Sequence, residues 1–358
     1  MSTASGDLSQ LHRDWGLNPA TLAPGCFASV MATGIVSIGA QFKGLALISA
    51  VLFWVAVALY AYFIVLTLWR VLRFRQGLRH DLHDPNRAFG FFTIIAGTNV
   101  LVTALVGLGV IPVAMVLFCV GGLLWLVLGY AIPFTAVLGS SIRPVVTGVN
   151  GTWFVWVVAA QSVAVAASSL AIALPKTNTA PQLVVPLSLL AVVMWSVGLA
   201  LYIACAVFLG VRVLLHRLEP EDFDAPYWVT MGALAISIVA GSRILELEST
   251  PLLDATRLLV GGSSALLWAF ATWLIPSLVL AGAWRHLRHR VPLGYSAGLW
   301  SMVFPLGMYA VASMYLGNSD HVPAIEWIGQ HWFWVGFTVW AIVFAAMVWS
   351  FIRSLRDR

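Results

Sequence analysis

Charge is scarce in this sequence. Asp, Glu, Lys and Arg make up 9% of its 358 residues, against roughly 25% in soluble domains, and 61% are hydrophobic. A water-soluble fold is excluded. Cysteine is rarer still: Cys26, Cys119 and Cys205 stand singly in apolar stretches, without the short spacing of a zinc knuckle or a redox pair. Acids are missing where proton-driven transport needs them. All fourteen Asp and Glu residues fall in terminal segments or loops, so obligatory proton coupling through a membrane carboxylate is disfavoured. There is no Gly-rich phosphate loop, dinucleotide fingerprint or HExxH, so no cofactor or metal is expected.

What is present is a series of long apolar runs. A helix needs about 20 such residues to cross the ~30 Å hydrocarbon layer, and the runs predict ten helices. They fall near 22–41, 45–69, 88–108, 111–138, 151–173, 184–214, 226–245, 256–284, 293–317 and 331–352. The runs are continuous rather than alternating, which excludes a closed strand barrel. The expected class is all-α and integral to a membrane: an N-terminal segment 1–21, a transmembrane domain 22–352 and a tail 353–358. Counting by side, the termini and the even-to-odd connections hold fifteen Lys and Arg, and the other side holds Lys43, Lys176, Arg243 and Arg257. The positive-inside rule therefore puts both termini in the cytoplasm, with the cell membrane as the expected location. The net charge of +5 reads as topology, and no nucleic-acid partner is expected.

Every odd helix opens on an aromatic residue and then passes through a small or polar stretch: Phe27 to Thr33-Gly34, Phe91 to Thr98-Asn99, Trp153 to Gln161, Trp228 to Ala235, and Trp300 to Gly307. The even helices are rich in Leu and Val. The pattern predicts five helical hairpins, with odd helices as an inner pore ring and even helices as an outer ring facing lipid, because small and polar residues favour helix contacts. The expected pore lining includes Thr33, Gly34, Ser37, Thr98, Asn99, Gln161, Ser237 and Gly307. A neutral, hydroxylated conduit with Arg at its ends tolerates small anions and disfavours cations. Arg87, Arg143 and Arg243 are the candidate anion-attracting mouths. In the ninth helix Phe304 lies ~16 Å from the helix start, and Pro305 bends the helix beside it. A lone aromatic ring at that depth suits either ordinary packing, which the residues alone favour, or a gate that excludes water.

Cys26-Phe27-Ala28-Ser29-Val30-Met31-Ala32-Thr33-Gly34-Ile35 resembles the Val-Met-Gly-Thr-Gly-Ile segment of the tellurite-resistance/dicarboxylate transporter family. That family includes bacterial tellurite-resistance permeases, fungal malate and sulfite transporters, and plant slow anion channels. Phe304-Pro305 is similar to the Phe-Pro of its pore-blocking position. The resemblance runs from about residue 22 to 352, with Ala32 where the fungal-type motif has Gly, so malate or sulfite specificity is not carried over. It implies a homotrimer whose protomers each hold a pore occluded by a mid-membrane Phe, with Phe304 and Pro305 as the gate. The expected function is a permease or channel for small anions: C4-dicarboxylates, sulfite, tellurite or inorganic anions. The alternative is a membrane enzyme acting on lipid through Asp81, His83, Asp84 and His286. The His80/His83 and His286/His289 pairs lie in Arg-rich sequence, where contact with lipid headgroups is favoured over metal.

Overall fold

The computed structural model describes residues 18–177, 179–319 and 321–356. Of the expected terminal segments, 1–17 and 357–358 lie outside the described residues. Among the described residues the chain is helical, with nine helices long and apolar enough to cross a membrane and one shorter apolar helix at the start. These are α1 (Ala28–Phe42), α2 (Ala46–Arg73), α3 (Ala88–Gly107), α4 (Ile111–Leu138), α5 (Gly151–Thr177), α6 (Pro181–Leu215), α7 (Ala225–Leu245), α8 (Leu253–Arg288), α9 (Ala297–Ser319) and α10 (Pro323–Arg356). A short polar helix, Arg75–His83, joins α2 to α3.

Most boundaries agree with the apolar runs to within a turn. The first and last helices depart furthest. The first, expected from 22, is helical only from Ala28 and has 15 residues, about 22 Å. Turns closed by Cys26 N–H to Ala23 O and Ala28 N–H to Gly25 O lead into it. The last starts eight residues before the expected 331, since Glu326, Gln330 and His331 disguise its first turns as loop. Lys43 Nζ fastens that stretch by donating to Gln330 O at 2.9 Å and Oε1 at 3.0 Å. Its other end continues to Arg356, through residues expected in the tail.

Consecutive helices pack as the pairs α1–α2, α3–α4, α5–α6, α7–α8 and α9–α10. The odd helices also pack on one another in the closed cycle α1–α3–α5–α7–α9–α1. Their spans α3, α5, α7 and α9 are at least 72% buried, whereas no even span exceeds 33%. This difference assigns the layers. The outer helices present Leu, Val, Trp and Phe at their surfaces, which water would not tolerate in such numbers and lipid does. The molecule is a multi-pass membrane protein built as a five-helix ring inside a five-helix shell.

Candidate functional site

At the axis of the ring is a void of about 20 Å³, room for one water molecule. All five odd helices border it: α1 through Ile35 and Ile38, α3 through Asn99, Val100 and Thr103, α5 through Ser162 and Val165, α7 through Ile236 and Val239, and α9 through Met308, Val311 and Tyr315. Four lining residues carry polar groups, Asn99, Thr103, Ser162 and Tyr315, and the Asn99 amide lies against Gly121 of α4. Ser162 Oγ donates to Ala159 O at 2.7 Å, so its lone pair accepts from Asn99 Nδ2 at 3.0 Å. That assignment leaves Asn99 Oδ1 buried without a protein partner. Thr103 Oγ1 donates to Asn99 O at 3.0 Å.

Helical register places Phe304 on the same stripe. Residues 304, 308, 311 and 315 recur at steps of four, three and four, which keeps them on one face. Met308, Val311 and Tyr315 border the void, and Phe304 is one turn beyond it toward the arginine-rich face, fully buried. Stepping one turn the same way from Ile35, Val100, Ser162 and Ile236 reaches Met31, Ala96, Val158 and Gly232, each also buried. Pro305 stands inside α9 and removes the N–H that would bond Ser301 O. A Cβ on Gly232 would lie 2.7 Å from Pro305 Cγ, so α7 reaches the proline only because residue 232 has no side chain.

Of the eight residues expected along the pore, Asn99 borders this void. The other polar members turn outward, to the shell. Thr33 Oγ1 accepts from Trp340 Nε1 at 3.0 Å, and Ser37 Oγ donates to Ser49 O at 2.7 Å. Thr98 shares a 2.9 Å hydrogen bond with Tyr60, and Gln161 Nε2 donates to Trp195 O at 3.1 Å. Ser237 Oγ donates back to Ala233 O at 2.7 Å, while its carbonyl accepts from Trp195 Nε1 at 3.1 Å. Gly34 and Gly307 serve close helix contact: a Cβ on Gly307 would lie 3.1 Å from Ile35 Cγ2, and one on Gly34 would strike Val100. In hydrocarbon a polar group needs a partner, and an indole or carbonyl on the neighbouring outer helix supplies it. Thr33→Val should therefore cost about 0.6 kcal/mol of stability, the usual worth of such a bond. It should leave relative anion permeabilities unchanged in a liposome flux assay.

The lining residues not foreseen are mostly Ile, Val and Met at helical spacing, which in sequence look like any packed face. Ser162 carried a usable signal, since it neighbours Gln161 but points elsewhere on the helix.

The three candidate mouths differ in position. Arg243 packs over the Tyr315 ring at 5.8 Å and pairs with Glu246 at 2.6 Å, which puts it at the end of the void away from Phe304. Arg143 donates to the carbonyls of Val137 and Leu138 at 3.0 and 3.4 Å, closing the end of α4. Arg87 Nε pairs with Asp81 at 2.8 Å. Asp81 is itself buried and also takes Arg70 Nη2 at 2.6 Å.

Arg70, Asp81 and Arg87 lie on the wall of a second, larger cavity of about 1020 Å³ at the arginine-rich face. Cys26, in the turn before α1, and Ser29 of α1 line it. They continue the stripe of Thr33 and Ser37, which face α10 and α2, so on α1 this cavity meets the side turned away from the axis, while on α9 it reaches Ala297 and Trp300. On its far wall, burial pushes the Tyr295 phenol up to about 12, partly offset by the N–H that Trp300 donates to it. The histidines first considered beside this region bond locally: His83 Nδ1 with Arg79 O and His286 Nδ1 with Val291 O, both at 2.8 Å. Among the described residues no group of three His, Cys, Asp or Glu converges.

The family profile described as voltage-dependent anion channel matches residues 21–348. An uncharacterized membrane protein of Mycobacterium tuberculosis is 49% identical over 148 residues, covering 41% of this chain and 75% of that one. An uncharacterized transporter of Methanocaldococcus jannaschii is 25% identical over 331 residues, covering 89% of this chain and 90% of its own. A sulfite efflux pump of Arthroderma otae is 24% identical over 365 residues, covering 97% and 95%.

Proposed function

The chain belongs to the voltage-dependent anion channel family, and on that premise we propose that it passes small anions along the axis of its inner ring, with Phe304 as the gate and Pro305 shaping it. That it is an anion transporter or channel rather than an enzyme follows from the family.

One observation carries the gate: the stripe Phe304, Met308, Val311 and Tyr315, three of whose members border a void that all five odd helices share. With a space of about 20 Å³ the pathway is shut, and a ring beside it must move for a dehydrated ion to pass. Selectivity for anions follows from what meets the ion. Asn99, Thr103 and Ser162 offer neutral amide and hydroxyl groups, while the ring holds no carboxylate at mid-depth that would repel an anion or bind a cation. Sulfite heads the substrates to test, because the Arthroderma otae relative is named as a sulfite efflux pump. C4-dicarboxylates, tellurite, nitrate and chloride complete the panel. The fifteen-to-four charge count supports cytoplasmic termini in the cell membrane, and the family resemblance supports a homotrimer with one pathway per chain.

Purified protein in liposomes, assayed for efflux of that panel, tests the proposal. Flux of at least one of these anions, with potassium excluded, is expected; cation flux without anion flux would overturn it. At the outer mouth, Arg243→Gln should lower anion flux at low ionic strength and Glu246→Gln should raise it. Both differences should shrink as salt shortens the Debye length to about 3 Å at 1 M.

A further inference from the structure

The 1020 Å³ cavity opens between α1, α2 and α10, on the side of α1 turned away from the axial void. We propose that it binds an anionic phospholipid, the phosphate against Arg87 and Arg70 and an acyl chain along α2 and α10.

The polar end is built for an anion. Arg70 is 4% exposed; it donates through Nη1 to Leu22 O and through Nη2 to Asp81, and its Nε is buried with no partner. Arg87 spends its Nε on the same carboxylate and is half exposed on the cavity wall. Two guanidiniums thus share the one buried carboxylate of Asp81 and leave the exposed half of Arg87 free to meet a phosphate. Asp84, the second carboxylate on the wall, accepts from the backbone and side-chain N–H groups of Asn86. Planar guanidinium groups match phosphate oxygens in both charge and geometry.

The other end is apolar. Leu59, Phe63, Met347, Val348 and Phe351 form it, and Leu59 lies about 16 Å along α2 from Arg70. Charge at the membrane surface and apolar wall beneath it is the order in which a phospholipid presents its parts. Val348 and Phe351 are each 40% exposed on helices that face lipid, which opens a lateral route for the chain. The volume exceeds what a bare phosphate fills and matches the upper end of small-molecule sites, roughly 1,000 Å³. The cavity also touches Trp300, one helical turn before Phe304, so an occupant contacts the helix that carries the gate residue.

Native mass spectrometry of the purified protein, titrated with phosphatidylglycerol or phosphatidylcholine, tests the site by binding alone and does not depend on transport. One phosphatidylglycerol per chain is expected, preferred over phosphatidylcholine, with Arg87→Gln weakening it about fivefold. Arg75→Gln, an exposed change on the connecting helix that carries Asp81 but off the cavity wall, should leave binding unchanged. Leu59→Trp, which fills the apolar end while keeping both arginines, should weaken binding too, a result that surface attraction alone does not give. If that variant fails to fold, Val348→Trp obstructs the same wall from an exposed position. Equal binding of the two lipids, or phosphatidylglycerol binding unaffected by Arg87→Gln and the tryptophan variant, would overturn the proposal. Displacement of the lipid by inorganic phosphate at matching concentration would assign the arginines to a soluble phosphate compound, and would equally overturn it.

Discussion

Phe304→Ala should raise anion flux through proteoliposomes at least about tenfold, the equivalent of removing roughly 1.4 kcal/mol from the barrier. The ring is fully buried and stands one turn from the void on the stripe that borders it, so its removal opens space along the proposed path. The same change deletes a packed aromatic, which in cores costs about 3–5 kcal/mol. Thermal unfolding must therefore be measured beside flux. Phe304→Leu separates the effects: it keeps most of the packing and removes the flat ring, so its flux should fall between wild type and alanine with a smaller loss of stability. Unchanged flux in a folded alanine variant would contradict the gate.

Asp81→Leu should be the most destabilising single change at the arginine-rich face. The carboxylate is 4% exposed and holds Arg70, itself equally buried, at 2.6 Å. Breaking a buried pair by removing one partner costs about 3–5 kcal/mol, because the remaining charge loses its buried counter-ion. Replacing both, with Arg70→Met beside Asp81→Leu, removes the stranded charge as well. That double variant should melt above the single one. Melting points in the opposite order would mean that Arg70 is hydrated or otherwise paired, contrary to its burial.

How much of this was legible in the sequence depends on which residues are considered. The number of helices, the hairpins and the division into ring and shell all follow from hydropathy runs and from the small residues of the odd helices. Bilayer thickness and backbone hydrogen bonding leave few alternatives. The pore lining was far less legible. Thr33, Ser37, Thr98 and Gln161 lie on ring helices as expected, yet each binds an indole, phenol or carbonyl of the shell. A polar residue in a membrane helix signals a contact without giving its direction, and here the contacts tie the ring to the shell. The axis instead is lined by Ile35, Val165, Ile236 and Val311, whose spacing matches ordinary packing. Phe304 stands out in the sequence through its pairing with Pro305 and its depth, and the structure adds its burial and its place on the stripe that meets the void. Asp81 looked like a loop acid, because its burial depends on Arg70 and Arg87 arriving from two other elements.

Thiol accessibility tests the central claim, that the permeation path follows the face of Phe304, Met308 and Val311. In a variant with Cys26, Cys119 and Cys205 replaced and Phe304→Ala opening the gate, single cysteines would be introduced as Val311→Cys or Thr33→Cys. A small charged thiol reagent should then block anion flux through the Val311→Cys protein and leave the Thr33→Cys protein unaffected. Block at Thr33→Cys with Val311→Cys untouched would place the path between ring and shell and contradict the account.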